Sequence, residues 1–131
     1  MRYMKTTYSI IFIVSMLFTS MQAHAHHSFA AHFLPDETVE VKGTVKQFYW
    51  TNPHAFIFLN VENESGEIEE WRIEMSNTIG LTRRGWDKET IKQGDVLHIT
   101  GNPARVASRH MLHIKTLQRE SDGLAYGEGA N

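Results

Sequence analysis

No cysteine occurs among the 131 residues. That excludes disulfides and thiolate ligands, so a metal site here must use nitrogen and oxygen donors, a thioether aside. Proline is scarce as well. Pro35, Pro53 and Pro103 each mark a predicted turn or strand break. Basic residues number 13 against 15 acidic ones, a balance that argues against a nucleic-acid partner. Serine-nucleophile, phosphate-loop, paired-carboxylate and HExxH patterns are all missing. A binding role is therefore favoured over an enzyme without excluding one, and copper redox chemistry is the only catalytic class left open.

What is present begins with a leader. Arg2 and Lys5 precede an apolar run from Ser9 to Met21, followed by Ala23-His24-Ala25. The run is too short for a stable bilayer anchor and ends in the small residues of a cleavage site, so residues 1–25 read as a secretory signal peptide. An uncleaved anchor is the alternative. Cleavage leaves 131 − 25 = 106 residues with a net charge of 11 − 15 = −4 and seven of the eight histidines. A periplasmic protein, not held at the membrane after cleavage, is expected. A core of that size can hold without disulfides.

The mature chain divides into an arm, a body and a tail. Residues 26–37 form the arm, taken as extended, although Phe29 and Phe33 also fit one helical turn. Residues 38–120 form the body. Val39, Val41 and Val45 alternate with polar residues along a first strand from Thr38 to Trp50, with Gly43 at a bend or bulge. Strands follow at Ala55 to Val61 and Ile68 to Met75, joined by a hairpin with Gly66 at the positive-φ position. Ser76 or Asn77 caps a short helix that ends near Arg84 and Gly85. Strands at Val96 to Thr100 and His110 to Leu117 complete the set. Residues 121–131 read as a flexible tail. Three strands, a helix and two strands predict a mostly β fold, a five-stranded OB-like barrel. An open α+β sheet is the rival. Pairing of the first strand with both the second and the fourth would decide between them.

Two histidine groups carry the chemistry. Cleavage after Ala25 frees the α-amine of His26, which with its own imidazole can chelate an ion. One more imidazole, from His27, His32 or His54, completes a three-nitrogen set that suits copper better than zinc. The arrangement resembles the histidine brace of copper proteins. The plain alternative is a solvated His26-His27 start without a ligand. His54 follows Pro53, which stiffens the backbone that presents it. Its alternative is a hydrogen bond within the turn. His98, His110 and His113 are read as structural or surface residues. Tyr49, Trp50, Phe56 and Phe58 offer a second possibility: an aromatic face for a peptide, glycan or protein partner, with core packing as the alternative.

Several landmarks resemble a bacterial domain-of-unknown-function family of small exported proteins. They are His26-His27-Ser28-Phe29, Gly43-Thr44-Val45, Trp50-Thr51-Asn52-Pro53-His54, Arg83-Arg84-Gly85-Trp86, Gly94-Asp95 and Gly101-Asn102-Pro103-Ala104. The resemblance spans nearly the whole mature chain and implies an exported single domain of OB-like shape, with no activity to carry over. The chain departs from it at Gly127-Glu128-Gly129-Ala130-Asn131, where a basic, aromatic ending is usual.

Overall fold

The computed structural model describes residues 29–127. The chain falls into two compact units, residues 1–32 and 33–131. Of the first unit, residues 29–32 are described and are helical, with His32 exposed. Of the two periods open to the arm, this stretch takes the helical one and not the extended one. The predicted leader, His26 and His27 lie outside the described residues.

The second unit is mostly sheet. In chain order it contains β1 (Val39–Tyr49), β2 (Phe56–Glu62), β3 (Ile68–Glu74), α1 (Thr78–Arg83), β4 (Val96–Pro103), a single 3₁₀ turn (Ala107–Arg109), β5 (Met111–Arg119) and β6 (Ala125–Tyr126). The strands pair in the order β3-β2-β1-β4-β5-β6, and a parallel β3–β5 pairing closes the first five into a barrel. This is the expected OB-like fold.

Closure begins in β1, which pairs with β4 over Val39 to Thr44 and with β2 over Thr44 to Tyr49. Gly43 sits at the changeover. A Cβ there would lie 2.8 Å from the Asn60 carbonyl oxygen and 2.8 Å from Val61 Cγ2, so only glycine lets β2 approach this closely. The register then skips between Val45 and Gln47. The extra residue restarts the alternation: Val45 and Phe48 both face the core, three apart. That explains the run Phe48-Tyr49-Trp50. Phe48 and Trp50 pack on the core, while Tyr49 points out at 41% exposure.

Inward residues of the strands make the core, among them Ile57, Leu59, Ile73, Leu97, Ile99 and Leu112, all fully buried. Each such side chain contributes about 1.5–3 kcal/mol relative to exposure. Leu81 of α1 joins them. Asn77 caps this helix, its side chain accepting from the Gly80 amide at 2.8 Å. Gly85 (φ 81°) ends it, with the Trp86 amide bonded back to the Leu81 carbonyl and the Trp86 ring buried.

Two boundaries differ from expectation. β4 does not stop at Thr100 but runs through Gly101-Asn102-Pro103. A register shift between Thr100 and Gly101 absorbs the irregularity, and Gly101 is required because a Cβ there would meet the His113 carbonyl oxygen at 2.4 Å. Asn102 is buried, and its Nδ2 donates to the carbonyls of Leu34, Pro35 and Glu37 at 3.0, 3.0 and 2.8 Å. The end of the arm is thereby fastened to the barrel, and the buried Phe33 adds a bridge to Ala104. The tail is not loose from Ser121. Residues to 127 fold back, with β6 paired to β5 and Tyr126 set edge-on to Trp86 beneath the Arg84 guanidinium. Arg119 holds the turn through Asp122, whose carboxyl it keeps down at about 2.

Replacing Asn102 with Ala removes a donor from three carbonyls, of which that of Leu34 keeps the Glu37 amide and that of Glu37 keeps Lys115 Nζ. Urea unfolding is expected to show a loss of about 1–3 kcal/mol, and hydrogen exchange should quicken at the Leu34 and Glu37 amides.

Candidate functional site

The corner Trp50-Thr51-Asn52-Pro53-His54 joins β1 to β2, with a cis Asn52–Pro53 peptide. Side chains clamp it on both sides. Thr51 Oγ1 donates to the His54 carbonyl at 2.8 Å. Asn52 Oδ1 accepts from the Thr78 amide at 3.1 Å and from Thr78 Oγ1 at 3.0 Å, tying the corner to the first turn of α1. His54 Nδ1 lies 3.1 Å from the Met75 carbonyl oxygen. A carbonyl can only accept, so in the neutral ring Nδ1 carries the proton and Nε2 keeps its lone pair. The His54 side chain is 44% exposed. The hydrogen bond reaches across to the end of β3, so the ring is both anchored and presented.

Sheet register supplies its neighbours. Phe56 lies opposite Glu74, Glu74 beside His113, and His113 opposite Asn102. Directly paired residues share a face. Ile73 and Leu112, one step along, are fully buried, so this row faces outward. Glu74 Oε1 stands 3.7 Å from His54 Nδ1, and the Glu74 side chain is only 16% exposed. The His113 ring sits edge-on to Phe33 at 5.6 Å. Burial pushes the His113 pKa below the usual histidine value, nearby His54 lowers it further, and Glu74 opposes both. Two imidazoles thus stand by one sheltered carboxylate. Among the described residues, no group of three His, Asp or Glu side chains is placed to hold a metal ion by itself.

His113 is the residue that sequence reasoning missed. Spacing alone reads it, with His98 and His110, as a structural or surface residue, whereas the sheet register sets it beside Glu74. The available signal was topological: an OB order sets the start of β5 against the end of β3, where Glu74 stands. His110 instead takes a left-handed conformation (φ 44°) just before β5. It stacks on Trp71 at 5.3 Å, with Nε2 3.7 Å from Glu69 Oε2. The side chain of Asn63 donates to that carboxylate and is the main reason its pKa is lowered. His98 lies opposite Lys42 and Gln118. Its ring stands between Glu40 and Glu120, at 3.9 and 2.9 Å.

The aromatic candidates divide. Tyr49, Phe56 and Phe58 share the outer face of β1 and β2, where Tyr49 and Phe58 meet edge-on at 5.3 Å. The Arg72 guanidinium lies 5.4 Å from the Phe56 ring centre. Trp50 is not with them. It packs edge-on to Phe48 against the core. The outward aromatics run directly into the Glu74–His113 row through Phe56.

The cluster has a titration signature. Unfolding frees His113 to take up a proton below about 6.5. Its contribution to stability is therefore complete above that value and is lost as pH falls through the lower folded-state pKa. NMR titration should find His113 below the ordinary value, lower still in Glu74→Gln and higher in His54→Gln.

No curated protein matches this sequence. The chain belongs to the family of unknown function DUF6152, whose model matches residues 14–113.

Proposed function

We propose that this protein is an exported binding module that holds a transition metal, copper ahead of zinc, at the Asn52-Pro53-His54 corner. One observation carries the reading: His54 Nδ1 is committed to the Met75 carbonyl, which leaves Nε2 as a lone-pair donor on a half-exposed ring. Metal-binding histidines are oriented in just this way, by a carbonyl or carboxylate on the other ring nitrogen. The clamp on Thr78 supports it, because a ligand on a pinned corner loses little freedom on binding. His26, with its amine and imidazole, and His27 and His32 in support enter on the sequence alone. Storage, sensing or delivery of the ion needs no reaction, and none is assigned.

Copper titration of three proteins tests the reading. The chain beginning at His26 should bind tightly. A version with one extra residue before His26 should lose that affinity if the amine is a donor. His54→Gln should lose more than the 10–100-fold typical of a residue that merely supports a ligand. Equal binding by all three would discard the proposal.

A second reading is favoured by the outward group of Tyr49, Phe56 and Phe58 beside Arg72. Such a face suits a peptide, glycan or protein partner, since aromatic rings and guanidinium groups provide most of the energy at binding surfaces. On peptide and glycan arrays, Tyr49→Ala should then abolish the hits of the wild-type protein at unchanged fold stability, whereas His54→Gln should leave them intact.

A further inference from the structure

Where the end of the arm meets the start of β1, the barrel holds a cavity of about 260 Å³ that neither reading above uses. Leu34 of the arm, Val39 of β1, Trp71 of β3, Ala104 just past β4 and Met111 of β5 all line it. Apart from Glu37 and Arg105, every lining residue is apolar. The geometry points to a site for a free α-amino acid with an apolar side chain, of about the size of leucine or methionine. This site stands whether or not the corner binds copper.

Size limits the ligand first. Clefts for drug-sized molecules run to about 300–1,000 Å³, so this one is too small for a glycan chain or a folded peptide segment. At roughly 30 Å³ per water, it has room for about nine water-sized groups, which is the heavy-atom count of leucine or methionine. Charge limits it next. Glu37 and Arg105 give the lining one charge of each sign. A simple acid or amine answers one of them, whereas the ammonium and carboxylate of an amino acid answer both from a single carbon. A guanidinium carries five N–H donors, so a ligand carboxylate can share Arg105 with a protein group. The remaining walls then take the side chain, against the Trp71 indole and the Met111 thioether.

The walls are already fastened. Asn102 Nδ2 holds the carbonyls of Leu34 and Glu37 at 3.0 and 2.8 Å. The Leu34 amide donates to the Pro103 carbonyl, and the Ala104 amide to the Met111 carbonyl, both at 2.9 Å. His110 stacks on the Trp71 ring at an interplanar angle of 16°. Arg72 Nη2 donates to Met111 Sδ at 2.9 Å. A small molecule entering here meets side chains with little freedom left to lose, which favours binding.

The test uses L-leucine and L-methionine as probes on the full ¹⁵N-labelled chain, read by NMR. Both should saturably shift the Trp71 indole N–H and the amides of Val39, Ala104 and Ala107. N-acetyl-L-leucine lacks the ammonium and L-leucinamide the carboxylate. Each should bind about tenfold or more weakly, as expected for loss of a hydrogen bond to a charged group. Glycine, without a side chain, should leave the signals unmoved. Glu37→Gln and Arg105→Gln, both at exposed positions, should each weaken leucine binding by a similar factor. Ala107→Phe, also at an exposed position, should fill the cavity and abolish binding with an unchanged circular dichroism spectrum. The probe comparison needs no variant. If millimolar leucine and methionine shift none of these signals, or if the acetylated or amidated probe binds as tightly as leucine, the inference is overturned. Undiminished binding by a folded Ala107→Phe protein would overturn it as well.

Discussion

Three residue pairs hold the barrel shut: Arg72 with Met111, Ile73 with Leu112, and Glu74 with His113. They are parallel, and they join segments almost forty positions apart in the chain. Without them β3 and β5 would be open edges, a liability in any sheet. With them the middle pair, Ile73 and Leu112, is sealed in the core, and Glu74 and His113, one step along, face out. The pair nearest the corner brings a carboxylate and an imidazole together. The contact that completes the fold therefore also assembles the candidate site.

The same economy is seen at the other end of the β1–β2 connection. A corner that only reversed the chain would need no side-chain bonds. This one is tied to α1 through Asn52 and Thr78 and to β3 through His54 and Met75. Both ties run to the segment immediately after Glu74, so the corner, the end of β3 and the start of α1 are coupled as one local structure. Ligand geometry is only as precise as the shell behind it, and here that shell is backbone carbonyl, helix cap and sheet register. The outward aromatic group continues from the same row, so a metal at the corner would stand next to Tyr49, Phe56 and Phe58 and not apart from them.

Much of the barrel was legible because its strands obey local rules. Alternation in β1, β2 and β3 identified the inward residues. Gly66 and Gly85 marked positive-φ positions, and both have φ near 80°. Gly43 pointed to a strand shared by two partners. The failures have a common origin. Gly101-Asn102-Pro103 carries every local sign of a strand end, yet Gly101 serves a close approach to β5 and Asn102 serves the arm, neither of which is adjacent in sequence. The tail, rich in glycine, reads as loose, but Tyr126 finds Trp86 and Arg84 across the fold. The three consecutive aromatics were ambiguous because a one-residue bulge, invisible in composition, changes which face each occupies.

By itself, the sequence determined the order of the elements, the inward and outward residues of the early strands, the two glycine turns and the oxygen-and-nitrogen character of any metal site. These are consequences of side-chain period and backbone sterics, which act within a few residues. Only the tertiary structure decided that Trp50 joins the core and Tyr49 does not, that Asn102 is a buried fastening, and that His113 belongs with Glu74 and His54. Each of those depends on register between strands distant in the chain, and register is set by how the whole barrel closes.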